Sequence, residues 1–401
     1  MAEQIFGEAM QDTYFESALD ARARRRSLIA AIACVSIYSI TMGFSLPLIS
    51  LILENRGVER SINGLLAATP SLAILMVTPF IPAWIARFGM RPFLLACIAG
   101  DLTLFLMLPV FDQLYAWFAI RFLMGATVAG LFVAGETWIN ELAEEATRGR
   151  TVGVYAMVVA GGFALGPMLL PVTGIDGWRP FLVGSAFVAL AALPLLWGKT
   201  VSPNFAADSA MSIMGFFAVA PTICAAVLLA AFKDASGMSL IPVYAVRQGV
   251  DQDVAALMLT VLGVGALALQ VPIGWLADRV NRYGLLVACA AGGALGAASL
   301  PWAIHAGWLL WVALFFWGGV FSGVYTIALV LLGERFRGSA LATGNAAFGF
   351  FWGLGSLFGP AMAGGAMDLW DPHGLPATLC AVSVLFVGLA LLRRFAVATT
   401  D

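Results

Sequence analysis

Apolar residues run along this chain in twelve long blocks separated by short polar gaps. The blocks cover 28–53, 62–86, 93–111, 115–139, 151–173, 180–198, 213–245, 254–276, 284–303, 306–332, 340–366 and 376–393. A helix needs about 20 mostly apolar residues to cross the hydrocarbon core of a bilayer, and each block is near that length or beyond it. The pattern predicts an all-α integral membrane protein with twelve transmembrane helices. The first block follows Arg22, Arg24, Arg25 and Arg26 and shows no signal-peptide cleavage pattern, so it is expected to remain as an anchor. Residues 1–27 then form a cytoplasmic tail, whose first 20 residues are polar and make either a loose tail or a surface helix.

Composition agrees with the pattern and removes several classes of function. Hydrophobic residues make up 61% of the 401 and charged residues 11%, with a mean hydropathy of +0.93; soluble chains hold about 25% charged residues. A net charge of −2 leaves no basic face for nucleic acid. Cys34, Cys97, Cys224, Cys289 and Cys380 stand singly inside apolar blocks and read as small hydrophobes, not as a disulfide frame or a metal site. The two histidines, His305 and His373, sit beside separate short loops. No nucleophile–base constellation suggests an enzyme, and no cofactor or metal is expected.

The basic residues set the expected orientation. With the N-terminus inside, fifteen Lys and Arg fall on the cytoplasmic side and only Arg56, Arg60, Arg179 and Arg247 on the other, as the positive-inside rule requires. Both termini are therefore expected in the cytoplasm. The chain also repeats itself. At an offset of 192, Gly57-Val58 meets Gly249-Val250, Glu59 meets Asp251 and Arg87 meets Arg279; at 193, Gly125 meets Gly318, Gly130 meets Gly323, Glu141 meets Glu334, and Gly166-Pro167 meets Gly359-Pro360. This predicts two pseudo-symmetric six-helix bundles, 28–198 and 213–393, joined by a cytoplasmic linker at 199–212 and followed by a short tail at 394–401. Duplicated halves are the construction that alternating-access carriers use.

Several motifs give the repeat a family likeness. Gly274-Trp275-Leu276-Ala277-Asp278-Arg279-Val280-Asn281-Arg282, between the eighth and ninth blocks, resembles the cytoplasmic signature loop of the major facilitator superfamily. Pro82 to Arg91 looks like its first-half copy, with Ala86 in place of the acid. Arg121-xxx-Gly125 resembles the family's helix 4 motif, whose arginine is often linked to proton coupling. Gly162-xxx-Gly166-Pro167 is similar to the helix 5 motif of antiporters but lacks the trailing glycine pair, and Glu136-Thr137-Trp138-Ile139-Asn140 resembles a Glu-Ser-Trp-Leu-Asn stretch of bacterial members. The likeness implies a secondary transporter in which helices 1, 4, 7 and 10 line a central cavity. The glycines themselves read as close-packing positions, not phosphate-binding loops.

Charges inside the blocks need a reason, because a charge at mid-bilayer costs at least about 2.5–3.5 kcal/mol on insertion scales. Arg121 and Glu136 lie about 60° apart around one helix and about 22 Å apart along it; they read as two cavity-facing groups, or else as a snorkelling arginine and a helix-end cap. Asp101, buried with no base close by, is expected to hydrogen-bond a neighbouring helix, with a proton site as the alternative. Lys233 and Asp234 point about 100° apart; either they neutralise one another, or Lys233 faces the cavity to bind an anion while Asp234 pairs elsewhere. Asp278 is expected to grip the N-terminal amides of a neighbouring helix and so hold the cytoplasmic side shut, with Arg279 paired to an acid and Arg282 nearby. Glu141 and Glu334 are expected to pair with Arg87 or Arg279 across the same gate.

The function expected from these features is alternating-access transport of a small organic solute, coupled to protons and directed outward. Proton-driven uptake of an organic anion is the alternative that Lys233 suggests. A carrier-like protein serving cofactor or complex assembly, without pumping, is a third. The expected setting is the inner (plasma) membrane as a multi-pass monomer, with the solute, protons and the lipid bilayer as its partners.

Overall fold

In a computed structural model that describes residues 2–142, 148–196, 213–336 and 338–398, the chain is helical throughout, with no strand among the described residues. Glu141 keeps its backbone but not its side chain in that description, and the linker at 199–212 lies outside it. Twelve helices are long and apolar enough to span: α1 Arg24–Asn55, α2 Arg60–Phe88, α3 Met90–Val110, α4 Leu114–Ile139, α5 Val154–Thr173, α6 Arg179–Leu196, α7 Pro221–Arg247, α8 Gln252–Ala277, α9 Arg282–Ala303, α10 Trp308–Arg335, α11 Thr343–Leu369 and α12 Gly374–Arg393. The helix containing α1 runs back to Ala2, so the polar N-terminal stretch continues it. By the charge asymmetry, the end carrying Asn55, Arg60 and Arg247 is termed the outer end.

Proline explains where helices depart from the expected blocks. The seventh block was expected to run unbroken over 213–245; instead a short helix, Ile213–Val219, ends before α7 begins at Pro221. A residue that precedes proline is pushed out of the helical region, and Ala220 accordingly has φ −129° and ψ 50°. In α2, Pro79 and Pro82 accompany a short 3-10 turn over Thr78–Phe80. In α5 the same happens at Gly166–Leu169, around Pro167.

Packing between helices rests on glycine, because lipid offers no hydrophobic drive and close backbone approach must supply the contacts. The pattern is duplicated almost atom for atom. In α5, a Cβ on Gly162 would strike the Ser39 hydroxyl and press on the backbone of Ser36 and Ile40 of α1, and one on Gly166 would strike the Ile40 carbonyl. In α11, one on Gly355 would strike Leu228 and Phe232 of α7, and one on Gly359 the Phe232 carbonyl. Ser36 and Ile40 are the 192-residue counterparts of Leu228 and Phe232. Likewise Gly125 abuts the Pro70 carbonyl and Gly318 that of Leu262, while Gly130 faces Cys97 Sγ and Gly323 faces Cys289 Sγ. The expected repeat is therefore present in the packing as well as in the sequence.

The halves meet along α2 with α11 and α5 with α8, and α7 also touches α1 and α2. Gly64 lies against the Pro360 carbonyl and Gly364 against the Arg60 carbonyl; Gly263 of α8 lies on Ala164 of α5. Near the outer end the apolar core of the first half takes in Ala256 and Val246 from the second.

Adjacent glycines in α5 test this reading. Gly162→Ala drives a methyl into the Ser39 hydroxyl and tight against the α1 backbone, and should cost about 1–3 kcal/mol as overpacking. Gly161 has nothing within 4 Å of the equivalent Cβ, so Gly161→Ala should be neutral or slightly stabilising through helix propensity. Thermal melting in detergent distinguishes them, and equal melting temperatures would contradict the close-packing account.

Candidate transport site and its gates

Inside the first half a buried polar cluster joins three helices. Asp101 of α3 and Tyr38 of α1 are fully buried, and Arg121 of α4 is only 2% exposed. The Thr127 hydroxyl lies 3.1 Å from Asp101 Oδ1 and 2.7 Å from the Met124 carbonyl, sharing its proton between them. Arg121 is within electrostatic reach of Asp101 and Tyr38. The expectation that Asp101 has no base nearby is thus corrected: a base 20 residues away in sequence is folded beside it. The α3–α4 hairpin does this, since Asp101 and Arg121 sit about 14 and 10 Å from their shared turn at 1.5 Å per residue. Tyr38 Oη, Asp101 Oδ2 and Arg121 Nε lack a hydrogen-bond partner in the protein. Buried polar groups are nearly always partnered, so this cluster has spare bonding capacity.

Glu136 occupies different surroundings from Arg121 despite sharing its helix face. The residue is exposed overall; its carboxylate accepts a hydrogen bond from Tyr155 Oη at 3.2 Å and lies within electrostatic reach of Tyr325 on α10. An exposed residue on α4 whose carboxylate feels a phenol of the opposite half stands at the space between the halves. Tyr325 itself packs edge-on against Trp352 and Phe348, with ring centroids 5.2 and 6.0 Å away.

Lys233 and Asp234 pair with one another, Nζ to Oδ1, at 3.2 Å. The side chain of Lys233 is 12% exposed and that of Asp234 50%. The lysine ammonium lies 5.1 Å from the Phe321 ring and 5.9 Å from that of Trp317. Of the two expectations the geometry matches mutual neutralisation: the Lys233 ammonium meets Asp234 and aromatic rings of α10, and no pairing of Asp234 elsewhere is seen among the described residues. Helix α7 touches α1, α2, α8, α10, α11 and α12, which leaves it little lipid face. Asp234 lies about 20 Å from the outer end of α7, half-exposed on a helix packed on most sides.

At the end opposite the outer one the signature loop folds on its own half. Arg282 bonds Glu334 at 2.8 Å and the Ala277 carbonyl at 3.1 Å, and lies 3.5 Å from Asp278. Arg279 stacks on the Trp275 ring at 3.5 Å, and Arg87 lies 5.4 Å from the Phe88 ring. Two expectations change: Glu334 pairs with Arg282, not Arg279, and no contact of Asp278 with a helix N-terminus is found among the described residues. Pairing of Glu141 falls on a side chain outside the description.

The acid that grips a helix N-terminus is at the opposite end. Asp368, near the end of α11, accepts hydrogen bonds from the backbone amides of Arg60 at 3.0 Å and Ser61 at 2.8 Å, the first turn of α2. The N-cap residue of α2, Glu59, makes no side-chain cap bond of its own. At the repeat position Asp251 caps α8 by accepting from the Asp253 amide. Arg60 then bonds Asp371 at 2.7 Å, Asp371 accepts from Arg247 at 3.1 Å, and Arg247 pairs with Glu54 of α1. Gln252 adds a bond to Asn55 at 2.9 Å. Among the described residues, every ion pair between the halves lies at this outer end.

Both halves carry the profile of one family. The model of the Major Facilitator Superfamily matches residues 31–212 and 209–399. The chain belongs to the Major Facilitator Superfamily. It is 26% identical to the MFS-type transporter YfkF of Bacillus subtilis (strain 168) over 360 residues, covering 85% of this chain and 88% of that protein. Its fold is similar to a bacterial homologue of the human lysosomal transporter Spinster, solved inward-facing and unoccupied, with TM-score 0.72, 16% identity and 92% and 95% coverage. It is also similar to a D-xylose–proton symporter, with TM-score 0.70, 19% identity and 91% and 95% coverage. As a superfamily member this chain is a secondary transporter in a membrane, and not an enzyme.

Sequence reading passed over Glu54, Arg60, Arg247, Asp368 and Asp371 because each sits at a helix end, where charge is ordinary. A signal existed: Glu59 stands where its repeat partner is a better capping aspartate.

The buried pair yields a stability prediction. Asp101→Ala removes the negative charge within electrostatic reach of the buried Arg121 guanidinium and the acceptor of the Thr127 hydroxyl, and should cost about 1–3 kcal/mol. The double change Asp101→Asn with Arg121→Gln should cost clearly less than the sum of its single changes. Unfolding in detergent measures both; additive losses would show that the two residues do not interact.

Proposed function

We propose that the protein is a proton-coupled exporter of a small organic solute, with both termini in the cytoplasm, in a state closed outside and open inside. The observation that carries this reading is the one-sided distribution of contacts. Among the described residues, ion pairs bridge the halves at the outer end alone, while Glu136 and Asp234 lie exposed on helices α4 and α7 away from that end. Rocking the halves would break the outer bonds and bring the signature-loop ends together.

Glu136 is the proposed proton carrier. It touches Tyr155 of its own half and senses Tyr325 of the other, so gaining or losing charge there changes how the halves attract. Proton-driven uptake of an anion has less support, because the ammonium of Lys233 is met by Asp234 and faces aromatic rings. The D-xylose–proton symporter shares the fold, which is compatible with proton coupling.

A thermal-shift screen for stabilising metabolites and drugs supplies solutes to test. In proteoliposomes, wild type should accumulate such a solute only when a pH gradient is imposed. Glu136→Gln should still exchange bound solute across the membrane but lose gradient-driven accumulation. Gradient-driven accumulation that persists in Glu136→Gln would remove Glu136 as the carrier, and wild-type transport indifferent to pH would remove proton coupling.

A further inference from the structure

At the outer end of the second half, away from the central space, a cavity of about 570 Å³ lies between the end of α9, the α11–α12 turn and the start of α12. Its walls are mostly apolar, and Trp302 and Trp370 stand beside it, the former 74% exposed. Exposed tryptophans at helix ends mark the depth of the membrane–water interface. The polar groups reaching the cavity are His305, His373 and Gln248, and no carboxylate lines it. His373 Nδ1 is buried without any hydrogen-bond partner. The chain's two histidines, remote in sequence, therefore meet at one apolar pocket of the size that holds small ligands.

The repeat supplies a comparison within the molecule. A smaller cavity of about 330 Å³ occupies the same place in the first half, where Arg56 and Pro109 stand at the counterparts of Gln248 and Pro301. That twin holds no histidine, and an acid, Asp176, lines it. Duplication made both hollows, and only the second-half copy combines apolar walls with donor groups free of acids.

We propose that the second-half cavity binds a phospholipid of the adjoining leaflet, with the phosphate of an anionic head at His373, His305 and Gln248 and the chain leaving past Trp302. The apolar walls and interfacial depth select an amphiphile, and the imidazoles and amide without a carboxylate select an anionic acceptor. Bound lipid braces the outer latch. Gln248 directly follows Arg247, and Trp370 and His373 flank Asp371, so the occupant leans on both sides of the Arg247–Asp371 bond.

Cys380 lines this cavity and is partly exposed, whereas Cys34, Cys97, Cys224 and Cys289 are buried, so its alkylation by a maleimide reads occupancy. Delipidated protein in a neutral maltoside detergent is labelled alone, with phosphatidylglycerol, or with soluble glycerol phosphate, and the Cys380 peptide is followed by mass spectrometry. With lipid at about ten times its Kd, the free fraction and hence the labelling rate should fall about tenfold. Glycerol phosphate should not protect. The double variant Trp302→Ala with His373→Ala should lose protection, while Trp178→Ala at the twin cavity should keep it, with melting curves confirming that both fold. An unchanged rate with lipid, equal protection by glycerol phosphate, or protection that survives in the double variant would each overturn the proposal.

Discussion

A helix N-terminus without its own cap ties the two halves of this transporter together. The first amides of α2 have no intrahelical partner, and Glu59 does not reach back to them. Asp368 takes them instead, from the other half, and a carboxylate in that position also meets the positive end of the helix dipole. Close backbone packing of Gly64 on Pro360 and of Gly364 on Arg60 brings the two helices near enough for the bond to form. Arg60, Asp371, Arg247 and Glu54 extend it into a chain that crosses between the halves twice. Each link is a part-exposed charged bond, the kind worth about 1 kcal/mol or less. Bonds of this strength hold the two helix ends together without locking them, since water can take over each partner if the ends part.

The glycine contacts between helices are symmetric and the helix ends are not. Glycine contacts of α5 on α1 recur in α11 on α7, with partners displaced by one repeat. Packing of this kind leaves little freedom, because a methyl group at Gly166 or Gly355 collides with backbone. Helix ends tolerate change, and there the copies have diverged. Asp251 caps its own helix where Glu59 leaves the task to Asp368, and Ala86 stands where the second half carries Asp278. Divergence at the ends leaves them bonded differently: a charge chain between the halves at the outer end, and at the other an Arg282–Glu334 bond within one half.

Local pattern announced the twelve spans, the repeat and the signature loop, because length, hydropathy and glycine spacing are properties of neighbouring residues. Partners were harder to read. Asp101 and Arg121 meet because a hairpin folds them to one depth, and the sequence shows that only when both are measured from the turn at 111–113. Lys233 and Asp234 point apart around an ideal helix, yet the long lysine stem spans the gap while its ammonium rests over Phe321. The break before α7 was legible in Pro221 but was hidden inside a continuous apolar run. The outer latch joins residues more than 300 apart, Arg60 with Asp368 and Asp371, and periodicity carries no information at that range.

The account stands or falls on whether the Asp368 cap holds the outer end closed. Spin labels at Tyr115→Cys and Leu369→Cys, both exposed at the outer ends of opposite halves, with Cys380→Ser to silence the accessible native thiol, report the separation by double electron–electron resonance. One short-distance population is predicted for the otherwise wild-type protein, with a longer one appearing in Asp368→Ala and none in Asp278→Ala, whose contacts stay within one half. A distance distribution in Asp368→Ala that matches the otherwise wild-type protein would contradict the latch.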